Sequence, residues 1–127
     1  MYKLLKPKAS LRNSPFRIVI NSTVKKESRI YALMRLMITV VIASYRYGHL
    51  AAHCIESLLS QSCMPERILF VDDGAHDCGH LPILYPDIEY VLRPHNLGTV
   101  ANFQDMLSRV ETEYVLFIGA DNWLRSD

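Results

Sequence analysis

The sequence predicts an α/β layer fold built on a mostly parallel sheet of about four strands with flanking helices. Three observations lead there. From Met37 onward, short apolar runs rich in β-branched residues alternate with amphipathic helical stretches. The apolar runs are hydrophobic at nearly every position rather than at every second one, the mark of strands buried on both faces. Acidic and turn-forming residues gather where those runs end, on the side of a parallel sheet where ligands bind.

Taken in order, residues 38–43 (Ile-Thr-Val-Val-Ile-Ala) form the first strand and residues 44–48 a loop. Residues 49–61 have helical periodicity, with Leu50, Cys54 and Leu58, and also Ile55 and Leu59, expected on the inner side. Residues 67–71 are a second strand running into Asp72-Asp73-Gly74. Residues 75–86 leave room for a short helix at most, and residues 88–92 are a third strand followed by a turn over 94–98. Residues 99–109 read as a second good helix, with Val100, Phe103, Leu107 and Val110 facing inward. Residues 114–118 are the fourth strand, followed by Gly119-Ala120-Asp121-Asn122. At the opposite strand ends, Glu66, Arg67, Asp87, Glu111, Thr112 and Glu113 read as solubilising residues.

The length of 127 residues suits one domain. The net charge of +1 conceals an asymmetry. Residues 1–36 hold nine of the 14 Lys and Arg and one acid, Glu27, and so carry +8, while the remainder holds five Arg against 12 acids and carries −7. That break sets a basic extension over 1–36, read as a disordered arm or a mis-assigned start, apart from a folded unit over 37–127. Near-neutral charge argues against a nucleic-acid partner; peripheral membrane contact through the basic arm stays open. Three cysteines, Cys54, Cys63 and Cys78, form no paired framework and fit a reducing compartment such as the cytoplasm. The longest apolar run is far shorter than the ~20 residues of a membrane span.

The loops carry the chemistry. Adjacent carboxylates Asp72 and Asp73 repel unless a cation or donor groups satisfy them. With Asp121 beyond the fourth strand they suggest oxygen ligands for Mg²⁺ or Mn²⁺, against the alternative that each caps a turn or helix. For Asp77 the capping alternative is the better one. Tyr45 is placed either to stack on a flat base or to pack half-buried, and Asn96-Leu97-Gly98 opens a helix in a turn that could present N–H groups to a phosphate. Other constellations fail. His49 and His53 lack the glutamate of a zinc-protease motif, and His76, Cys78 and His80 have no usual zinc spacing. No lysine follows Lys26, so no P-loop is available, and no Gly-x-Gly-x-x-Gly follows a strand.

Four stretches and a strand end, in order, resemble one family. Val40-Val41-Ile42-Ala43-Ser44-Tyr45-Arg46 is similar to an opening strand that usually ends Pro-Thr-Tyr-Asn. Glu56-Ser57-Leu58-Leu59-Ser60-Gln61-Ser62 resembles an "ESLLNQT" helix end, and Ile68–Gly74 with Asp77 a "VVDDGSxD" loop. Asn96-Leu97-Gly98 with Ala101-Asn102 resembles an "NxGxxxARN" turn, and residues 114–124 a strand ending in Asp-x-Asp. The family is the family 2-like glycosyltransferases of the Rossmann-like GT-A fold, and the likeness covers its N-terminal, nucleotide-sugar-binding portion.

The resemblance implies that Ala43, Ser44 and Tyr45 line a nucleobase pocket, with Asp73 accepting from a uracil-like imide and Asp72 beside the ribose. It implies that Asn96 and Gly98 shape the loop near base and phosphates, and that Asp121 holds Mg²⁺ or Mn²⁺ on the diphosphate of a UDP-sugar. The sugar would pass to an acceptor the sequence does not identify. Departures are Ala43 for Pro, Gly119 for the first Asp of Asp-x-Asp, and Phe103 near the Arg-Asn pair. Family members continue past the metal motif, so a general base is expected beyond residue 127. The 127 residues alone are expected not to transfer sugar without a C-terminal half or an oligomer. A non-catalytic nucleotide-binding module of the same fold is the alternative.

Overall fold

The computed structural model describes residues 37–125. The element order is β1 (Ile38–Ser44), α1 (Gly48–Leu59), β2 (Arg67–Asp72), α2 (Leu81–Leu84), β3 (Glu89–Leu92), α3 (Thr99–Ser108) and β4 (Tyr114–Gly119). The strands form one parallel sheet in the order β3-β2-β1-β4. The basic extension expected over residues 1–36 lies outside the described residues.

β1 is central and pairs on both sides, its Val41 opposite Leu69 of β2 and Phe117 of β4. Its side chains alternate between two cores. Val40 and Ile42 face a cluster with Ala51, Cys54, Ile55 and Leu58 of α1, Phe70 of β2 and Leu81 of α2. Val41 faces the other way, into Leu69, Val71, Val115 and Met106 of α3. Burial on both faces explains the unbroken apolar run, because neither side of the strand meets water.

The strands and helices fall where the sequence places them to within a residue or two, but the helix faces differ. In α1 the buried residues are Gly48, Ala51, Cys54, Ile55 and Leu58, whereas Leu50 and Leu59 are exposed. In α3 the buried residues are Asn102 and Met106, while Val100 is 72 % exposed and Phe103 and Leu107 are 38 % exposed. Only Val110 of the expected apolar stripe packs on the core. The inversion has a polar cause: Arg93, at the end of β3, donates to Asn102 Oδ1 at 3.2 and 3.1 Å and to Asp105, and so draws that side of the helix inward. Phe103 instead leans on Phe117 with ring centroids 5.1 Å apart.

The amino-edge of the sheet holds a second correction. Thr112 is buried, and its hydroxyl lies 2.7 Å from that of Thr39 and donates to the Tyr114 carbonyl at 2.8 Å. It is a structural tie rather than a solubilising residue. Arg67 and Glu89 form a two-pronged ion pair at 2.8 Å on the same edge. Among the described residues no helix is long and apolar enough to cross a membrane.

Candidate nucleotide site

The carboxyl ends of the strands open into a pocket of about 420 Å³. β1 delivers Ala43, Ser44 and Tyr45 to its wall, and Tyr47 follows. β2 delivers Asp73, the turn before α3 delivers Asn96, Gly98 and Thr99, and α3 adds Asn102 and Phe103. Gly119 and Asp121 close the wall after β4. Of the residues singled out from the sequence, Ala43, Ser44, Tyr45, Asp73, Asn96, Gly98 and Asp121 all meet there.

Asp72 does not. Its carboxylate accepts from the Ala75 N–H at 2.9 Å, inside the turn that follows β2. Asp77 and Cys78 stand beside it, their ligand-capable atoms and those of Asp72 all within 4.8 Å of one another. This trio is a poor fit for Mg²⁺ or Mn²⁺. Asp77 is committed to the Gly48 N–H at 2.9 Å, and burial pushes the Cys78 thiol up to about 12, so the sulfur holds its proton at neutral pH. Burial opposes ionisation of Asp77, yet the hydrogen bonds from Gly48 and Cys78 hold its carboxyl below the usual range. It caps α1, a helix earlier in the chain, rather than the following helix or turn that its capping alternative names. Gly48 is required there, since a Cβ would meet the Asp77 carbonyl oxygen at 2.3 Å.

Asp73 is 4 % exposed and held by protein donors. Its Oδ1 accepts from the Leu97 N–H at 3.0 Å and lies 3.4 Å from Arg93 Nε. Arg93 in turn donates to Asp105, which also takes Arg109. Hydrogen bonds from Arg109 and then Arg93 hold the Asp105 carboxyl down at about 2. The adjacent acids Asp72 and Asp73 are thus satisfied by separate protein partners, and the pair does not itself require a cation. Arg93 is the residue that sequence reasoning missed. The signal was present: Asn102, Asp105 and Arg109, at spacings of three and four, mark a polar stripe on a helix whose apolar stripe looked more persuasive.

The turn between β3 and α3 is shaped by two glycines. Gly74 has φ of 83°, and a Cβ there would meet the backbone of His95 at 2.3 Å. Gly98 has φ of 80° but open space around it, so it is needed for its backbone angle and leaves the start of α3 uncrowded. Asn96 Oδ1 accepts from the Gly98 N–H at 2.7 Å and fixes the turn.

Gly119 occupies the position of the missing first carboxylate. A Cβ there would meet Asp121 Oδ1 at 2.5 Å and Asn122 Nδ2 at 3.0 Å. Asp121 therefore leans back over the strand end, steadied by the Asn122 amide at 2.9 Å. The arrangement leaves one exposed carboxylate, Asp121, in the pocket. That is a fit for Mg²⁺ or Mn²⁺, which bind through one or two carboxylates together with phosphate oxygens and water. His53 packs edge-on against Trp123 at 5.1 Å and His76 Nε2 lies 3.1 Å from the Pro94 carbonyl, and neither stands with the Asp72, Asp77 and Cys78 group found among the described residues.

The model of the family described as Glycosyl transferase family 2 matches residues 39–127. "Glycosyltransferase GlyA" of Streptococcus pneumoniae serotype 4 is 24 % identical over 94 residues, which cover 71 % of this chain and 14 % of that protein. Among solved structures, TarS 1-349 of S. aureus in complex with UDP-GlcNAc aligns with a TM-score of 0.58 at 22 % identity, over 68 % of this chain and 27 % of that one. The mannosyltransferase PcManGT of Pyrobaculum calidifontis, in complex with GDP-Man and Mn²⁺, aligns with a TM-score of 0.58 at 18 % identity, over 70 % and 28 %. The chain thus spans little more than a quarter of these structures and a smaller share of the curated relative.

Proposed function

The chain belongs to glycosyl transferase family 2, and from that premise we propose that residues 37–125 bind a nucleoside diphosphate sugar for transfer of the sugar to an acceptor. One observation carries this reading: Tyr45, Asp73, the turn of Asn96 and Gly98, and Asp121 arrive from four different strand ends at one pocket.

In this reading each residue has a separate task. The Tyr45 ring, 39 % exposed, offers a face to the base, a contact worth ~1–3 kcal/mol. Asp73, pinned by Arg93 and Leu97, accepts from the imide N–H of a uracil-like base, a demand that cytosine cannot meet. A guanine presents a similar N–H, so uridine and guanosine diphosphates are the two to compare, uridine first. Asn96 and Gly98 shape the approach to the phosphates. Asp121 would hold Mg²⁺ or Mn²⁺, which supplies Lewis-acid stabilisation of the departing diphosphate. Asp72 is held in the turn after β2 and does not line the pocket.

Transfer also needs a base within about 3 Å of the acceptor hydroxyl. Asp73 and Asp121 already have donor-side tasks. The acceptor wall and the base would then come from outside the described residues, from further chain or a second copy. A module that binds nucleotide without transferring is the second reading. It is favoured by Gly119, which leaves a single metal-capable carboxylate in the pocket.

Calorimetry with UDP and GDP, with and without Mn²⁺, is the test. Metal-assisted binding of one of them is expected. Asp121→Ala should abolish the metal dependence, and Tyr45→Ala should weaken binding with or without metal. A folded chain that binds neither nucleotide would remove the donor-binding reading.

A further inference from the structure

The pocket has a charge problem. Its lining carries two carboxylates, Asp73 and Asp121, and no lysine, arginine or histidine. A nucleoside diphosphate would bring further negative charge into it. One divalent ion on Asp121 offsets part of that charge, and the remainder needs a second cation from the protein.

The described residues contain no lysine and five arginines. Three are committed elsewhere: Arg67 to Glu89 on the opposite edge of the sheet, Arg93 to Asp73 and Asp105, and Arg109 to Asp105. Arg125 lines a separate depression beside His53 and Glu56. Arg46 remains. It sits between Tyr45 and Tyr47, both of which line the pocket, and its side chain is exposed. Its guanidinium lies 5.0 Å over the Tyr45 ring, and the ion pairs found among the described residues involve Arg67, Arg93 and Arg109 but not Arg46. Its backbone holds φ of 66°, a left-handed angle uncommon for an arginine and one that tends to collect at ligand sites.

We infer that Arg46 is the anion-binding residue of this pocket: it turns from the Tyr45 ring to the diphosphate when nucleotide binds. The inference rests on the donor-binding reading above. A guanidinium stacked on an exposed ring is weakly held, whereas the same group on a phosphate makes charge-assisted, two-pronged hydrogen bonds. The movement also clears the ring face for the base. Arg46 is thus both the placeholder on Tyr45 in the empty site and the counter-charge in the filled one.

The experiment compares UDP and uridine binding by the full chain with Mn²⁺ present, for the wild type, Arg46→Asn and Arg46→Lys. Asparagine tolerates the left-handed angle, so the loop keeps its course. Circular dichroism and the thermal midpoint check that each variant is folded as the wild type is. Arg46→Asn should weaken UDP roughly tenfold or more while leaving uridine unchanged or slightly tighter. Arg46→Lys should recover part of the UDP affinity, and the salt dependence of UDP binding should flatten in Arg46→Asn. Equal loss for uridine and UDP, or loss for neither, overturns the assignment while the donor-binding reading stands. A wild type that binds neither UDP nor GDP overturns both.

Discussion

Replacing Arg93 with methionine should cost this fold about 3 kcal/mol. Arg93 is the hub between β3, the pocket and α3: its side chain is 9 % exposed and touches Asp73, whose side chain is 5 % exposed, together with Asn102 and Asp105. Methionine keeps most of the aliphatic stem and removes the charged fork. Breaking a buried ion pair from one side costs about 3–5 kcal/mol, because the other charge stays buried without its partner. The lower end applies here, since Asp73 keeps the Leu97 N–H and Asp105 keeps Arg109. With a urea dependence of about 1.5 kcal/mol per molar, the unfolding midpoint falls by about 2 M. A double-mutant cycle isolates the cause. Adding Asp73→Asn to Arg93→Met removes the stranded charge, so the double variant should be more stable than the sum of the single losses implies, by about 1–2 kcal/mol. Urea unfolding followed by circular dichroism measures all four corners. A midpoint shift below about 0.5 M for Arg93→Met, or strict additivity in the cycle, refutes the view that Arg93 ties Asp73 to α3.

The same cluster sets an acid limit. The Asp105 carboxyl is held at about 2, below its ordinary 3.8, so its contribution is present above about pH 4 and is lost as pH falls from there through 2. Asp105 is 32 % exposed, so after solvent screening that contribution is about 1 kcal/mol. Asp105→Asn should flatten the wild type's loss of stability between pH 4 and 2, and an unchanged pH profile would refute this. Burial first, and the Asp121 charge second, push the Cys54 thiol up to about 11, and burial pushes Cys78 up to about 12. Both should resist iodoacetamide at pH 8 until urea unfolds the chain, as read by mass spectrometry; rapid native labelling at either position would contradict the buried placement.

The sheet and the place of the candidate site were legible in the sequence for one reason: strands buried on both faces admit only apolar residues, so polar residues are pushed to the ends. Val40 and Val41 face different cores yet look alike in sequence, and that likeness is the signal. The helix faces were less legible. A stripe of Val100, Phe103 and Leu107 outranks Asn102 on hydrophobicity, but hydrophobicity says nothing about a largely covered arginine waiting just past β3. Once Arg93 needs acceptors, the helix turns to supply Asn102 and Asp105. Thr112 was misjudged for the same reason, since its value depends on Thr39, far away in the chain. Polar residues reveal their roles only through partners, and partners are a property of the fold. The acids show both outcomes: Asp73 and Asp121 reach the pocket as expected, whereas Asp72 is taken up by its own turn.

The crowding at Gly119 also bears on how such a site changes over generations. Any glycine codon is one base change from an acidic one, so a second carboxylate beside Asp121 looks easily regained. The geometry adds one condition, because Asp121 Oδ1, the far end of an exposed side chain, stands 2.5 Å from where the new Cβ would be built. A returning aspartate would collide with the side chain that has settled into the vacated space, and Asp121 would have to swing away first. An acid at position 119 therefore takes a single substitution, coupled to a rotation of Asp121 that gives up its hydrogen bond from Asn122. Sterics thus leave a lineage free to move in either direction, and selection on the metal site decides which form is kept.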